Sequence, residues 1–76
     1  MWQIDKIIEV ANQLQRTGST GASTGERIAA AFVLNKPQYL PHSYSDMVEA
    51  WDRLDTEWQD YVRLIKRDYR HLIEGQ

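Results

Sequence analysis

The chain has no cysteine, one phenylalanine, two prolines and four glycines among its 76 residues. Without cysteine there is no disulfide framework, no thiolate metal site and no thiol nucleophile, so stability rests on buried apolar surface. No apolar run approaches the ~20 residues of a membrane-spanning helix, so no membrane partner is expected. Asp5, Lys6 and Glu9 interrupt the first apolar residues and break any signal-peptide core, from which a cytoplasmic location is expected. Charge of one dominant sign is missing too: nine Lys and Arg stand against eleven Asp and Glu, a net charge of −2. That total does not mark a strongly basic nucleic-acid binder. It is unevenly spread, with four acids and one base in Asp46 to Asp55 and four of each in Glu57 to Glu74.

What is present is apolar spacing. A chain this short buries about 60% of its unfolded surface and has nothing to spare for a second core, so residues 1–76 are read as a single helical domain. Ile4, Ile7, Ile8, Ala11 and Leu14 recur at three- and four-residue steps and predict a first helix over 2–16. Thr17 to Thr24 has no side chain larger than threonine and reads as a flexible connection. Ser23 and Glu26 then form the S-x-x-E pattern of a capping box, which starts a second helix over 24–35. Ile28 to Leu34 is apolar without interruption; its alanines favour helix over strand, and an all-round apolar helix belongs at the centre. Asn35 can close it in the left-handed conformation, and Pro37 prevents its continuation.

Pro37 and Pro41 punctuate a loop in which Tyr39 and Leu40 are expected to fold back over the core. Ser43 with Asp46, or else Ser45, caps a third helix over 44–54. Met47, Trp51, Leu54, Trp58, Tyr61, Ile65 and Leu72 follow a four-three alternation broken only by Asp68, with Val48, Val62, Tyr69 and Ile73 widening the stripe. This pattern fits one helix of about 30 residues, some 45 Å long and prone to dimerise. It also fits a break near Asp55 with a fourth helix over 56–74, and the break is preferred because it covers Trp51 and Trp58 within one chain. The expected fold is all-α, a small bundle of three to four helices.

Chemical constellations are few. Gly18, Gly21 and Gly25 precede a helix and invite a phosphate-loop reading with Arg27 close by, but Glu26 stands where a Walker loop needs lysine, and a linker is the better account. Asp68, His71 and Glu74 recur every three residues, yet helical di-iron sites need further carboxylates and a second histidine pair, while His42 lies in the proline loop. No metal and no cofactor is therefore assigned. Neither a G-x-S-x-G nor an S-x-x-K pattern accompanies the serines, and acid pairs such as Asp52 with Asp55 or Glu57 with Asp60 read as solvated charge near helix starts. No catalytic residue is assigned, and an enzyme is not expected.

Two surface features remain. Arg63, Lys66, Arg67 and Arg70 place four bases along one stripe of the last helix, suited to an acidic partner or a phosphate backbone. Tyr39, Leu40 and Tyr44 lie in the loop, where aromatic side chains also serve as anchors for a partner. The runs GERIAAAFVLNKPQYLP and MVEAWDRLDTEW resemble small orphan proteins of bacterial mobile elements such as integron gene cassettes. That resemblance covers roughly the middle half of the chain, implies a bacterial accessory protein, and carries over no functional residue. The expected function is a non-enzymatic helical protein-interaction module, with a homodimer among the forms it can take. The alternative is a nucleic-acid-associated regulator using the basic stripe.

Overall fold

Helices form where the apolar spacing places them. The computed structural model describes residues 2–44 and 46–75. It contains α1 (Trp2–Thr17), α2 (Thr24–Leu34), α3 (Met47–Arg53) and α4 (Thr56–Asp68), with two 3-10 turns at Pro37–Tyr39 and Arg70–Leu72 and no strand among the described residues. The fold is an all-α bundle of four helices.

Along α1, Ile4, Ile7, Ile8, Ala11 and Leu14 share the buried face with Val10. The capping box at the start of α2 is complete: Glu26 N–H donates to Ser23 Oγ, and Ser23 N–H donates to Glu26 Oε1. Asn35 closes the helix in the left-handed conformation, at φ 56° and ψ 38°, and its N–H reaches back to Ala31 and Phe32 carbonyls. Ile28, Ala29 and Ala30 are wholly enclosed. Packed against α1, α4, the first 3-10 turn and α3, α2 is the central helix. Its alanines supply the reason, since small side chains on several sides let neighbouring helices approach while each buried isoleucine contributes about 1.5–3 kcal/mol.

The segment between α1 and α2 has no regular structure, as its composition suggests, and carries side-chain bonds of its own. Thr17 Oγ1 lies within hydrogen-bond distance of the Gln13 and Ser19 carbonyls, either of which can take its one proton, and Thr20 Oγ1 donates to Gln13 Oε1 while accepting from Ala22 N–H. Short hydroxyl side chains supply the bonds that regular structure would otherwise provide.

The break near Asp55 is present. Leu54 is extended, and Asp55 caps α4 by accepting from Trp58 N–H at 2.9 Å. Gln59 Nε2 covers the Trp51 and Leu54 carbonyls at the corner. The single long helix is excluded, since the molecule measures 29 Å along its greatest extent. Two boundaries differ from expectation by more than one residue. α3 starts at Met47 under an Asp46 cap, whose Oδ1 accepts from Val48 and Glu49 N–H groups; the alternative cap, Ser45, lies outside the described residues. α4 ends at Asp68 rather than near 74, because an acid in the last turn opposes the helix dipole and has poor helix propensity. Beyond it, the 3-10 turn changes the angular spacing, which leaves Leu72 exposed and puts Ile73 in the core. This last segment returns across α1, held by Asn12, whose Nδ2 donates to Leu72 O and whose Oδ1 accepts from Glu74 N–H. Gln15 Nε2 donates to Glu74 O, and Arg16 pairs with the Glu74 carboxylate.

Candidate partner-binding surface

The loop between α2 and α3 is positioned by three restraints. Pro37 opens the 3-10 turn, Leu40 is buried as an apolar plug, and Arg27 on α2 donates from Nε to the Tyr39 carbonyl at 2.8 Å. Tyr39 and Tyr44 are half-buried against the core, and Lys36 lies 5.9 Å from the centre of the Tyr39 ring. Leu40, expected among the partner contacts, is a core residue and offers a partner almost no area. Between this loop and α2 lies an open hollow of about 320 Å³, lined by Arg27, Gln38, His42 and Tyr44 with Pro37 and Pro41 among its walls.

Immediately after it, α3 begins with two side chains that the apolar stripe assigns to the core. Met47 is 46% and Val48 69% exposed, and Ala50 is the buried residue of this seven-residue helix. The short helix explains the exposure: the Asp46 cap fixes its start, and the turn that buries Ala50 leaves its first two positions outside. Glu49 and Asp52 are exposed on the same helix. Trp51 is half-buried, edge-on to Phe32 with ring centres 5.0 Å apart. Other exposed large apolar side chains are Trp2, Tyr69 and Leu72.

The four bases do not form one free stripe. Lys66 turns inward and donates to Phe32 O and Asn35 Oδ1, tying α4 to the end of α2; loss of solvent, and then the charge of Arg70, lower its pKa. Arg63 pairs with Asp60 at 2.9 Å and lies 5.3 Å from the Trp51 ring centre. Arg67 pairs with its neighbour Asp68, and this bond raises the one pKa and lowers the other. Arg70 falls beyond α4, in the 3-10 turn, and so leaves the helical register of the other three. On the opposite side of α4, Tyr61 donates to Glu57, and that bond, aided by burial and the Glu57 and Asp55 charges, pushes the phenol up to about 12.

Asp68, His71 and Glu74 share no helical face, because α4 ends at the first of them. Among the described residues no group of three metal-binding side chains is assembled, and no helix is long and apolar enough to cross a membrane.

Sequence reasoning missed Met47 and Val48 as surface features, and weighed Arg27 only beside the glycine series rather than beside the proline loop. The first two carry no signal beyond their place directly after a cap. Arg27 is the one base of α2, next to the Glu26 of the capping box. No family model, curated protein or solved structure matches this chain.

Proposed function

We propose that this chain is a non-enzymatic helical module that binds another protein through the start of α3. The observation that carries the reading is the exposure of Met47 and Val48, consecutive in the first turn of α3. Exposed apolar side chains grouped in this way favour a partner that covers them. Glu49 and Asp52 give the patch an acidic border, so the matching partner surface is apolar with basic residues around it. A second copy of the chain is one such partner, since it carries bases of its own. In keeping with the resemblance of its middle half, the module belongs to a cytoplasmic accessory protein of a bacterial mobile element.

Val48→Asp tests the reading. The second helical position favours an acid, so the substitution removes apolar surface without opposing the helix. Affinity capture with quantitative mass spectrometry is expected to show a protein retained by the wild-type chain and lost by Val48→Asp. Sedimentation at several concentrations checks the second copy in the same way. Equal recovery by both chains, with equal sedimentation, overturns the proposal.

A further inference from the structure

Arg27 is a half-buried cation whose side chain bonds to a neutral carbonyl. Lys6, Arg16, Arg63 and Arg67 each pair with a carboxylate, whereas among the described residues none pairs with Arg27. Partial removal of a guanidinium from water carries a cost that a neutral acceptor offsets less well than an anion does. The bond from Nε to Tyr39 O also fixes the side chain, leaving its two terminal nitrogens as donors beside the hollow that Arg27 lines. The other polar walls are Gln38, His42 and Tyr44, each able to donate a hydrogen bond, and among the described residues no carboxylate lines the space. Glu26, the nearest acid in sequence, has an oxygen engaged by the Ser23 N–H in the capping box.

We propose that this hollow is an oxyanion seat, in which Arg27 holds a carboxylate or phosphate group with Gln38, His42 and Tyr44 completing the donor set. A fork of two parallel N–H bonds from a guanidinium fits such planar or tetrahedral oxygens, and a hollow of about 320 Å³ has room for a small anion or one acidic side chain. Thr17 and Thr20, in the glycine-containing segment, spend their hydroxyls on oxygens of Gln13 and Ser19, and the seat does not use them. It stands independently of the apolar patch on α3.

Titration of the full-length ¹⁵N-labelled chain with sodium phosphate, and separately with a blocked peptide carrying one glutamate, tests this at fixed ionic strength against sodium chloride. Saturable shifts are expected at the Arg27 Nε–H and at the Gln38, His42 and Tyr44 amides. Tighter saturation by phosphate marks a free oxyanion, and tighter saturation by peptide marks an acidic side chain of a protein. Arg27→Gln, which can keep a bond to the Tyr39 carbonyl, is expected to weaken binding at least about tenfold. His42→Ala, on an exposed side chain, is expected to weaken it about threefold and guards against a loop disturbed by the first variant. Responses that stay linear, match chloride, or saturate equally in both variants overturn the proposal.

Discussion

Ile28 has neighbours on every side, because the helix that carries it is itself surrounded, and it is fully enclosed. Ile28→Ala is expected to cost about 2–5 kcal/mol, measured by urea denaturation, a large share of the total stability of so short a chain. Tyr61 makes a different kind of prediction. Its phenol stays protonated in the folded chain up to about 12, against an ordinary value near 10, so between these values the folded state holds a proton that the unfolded state has released. Stability from this group is full below pH 10 and falls as pH rises toward 12. Denaturation series across that window are expected to show a steeper loss for wild type than for Tyr61→Phe; equal slopes would remove the Glu57 bond as the cause. The core residues of α1 and α2 were legible in the sequence because three- and four-residue spacing leaves few other ways to bury them. Val48 was not, since an apolar residue reads alike whether a neighbour covers it or not.

Among the elements, the break between α3 and α4 could be expected from Asp55, an efficient cap with poor propensity inside a helix. Asp68 gave a local signal for the end of α4, but the path of the segment beyond it could not be expected, because its main partners, Asn12 and Gln15, lie some sixty residues away in sequence. That segment is a strap, anchored by buried Ile73 and by side-chain amides rather than by a regular ladder. Few backbone bonds and one apolar anchor favour opening of the strap ahead of the bundle. Hydrogen exchange is expected to be about 100-fold faster at the Ile73 and Glu74 amides than at Ile28 to Leu34, and faster by about a further tenfold in Asn12→Ala. Exchange of both regions at one rate would show that the strap opens only with the whole fold.

For the whole molecule, the reach of the basic stripe decides between partner classes. Affinity for nucleic acid depends on how many phosphates are met, and Lys66 is spent on the end of α2 while Arg63 and Arg67 face their own acids. A mobility-shift experiment with duplex DNA at low salt is expected to show no complex; a complex whose affinity falls steeply with salt would restore the nucleic-acid alternative. By itself the sequence determined the helical class, the capping box, the Asn35 closure and the central place of Ile28 to Leu34. These follow from spacing and from bonds between near neighbours in the chain. Only the tertiary structure decided which apolar residues stay outside, that Lys66 is spent on the end of α2, and that Arg27 stands half-buried beside a hollow. Each of those depends on contacts between segments far apart in the chain, and local periodicity carries no information about the distances between them.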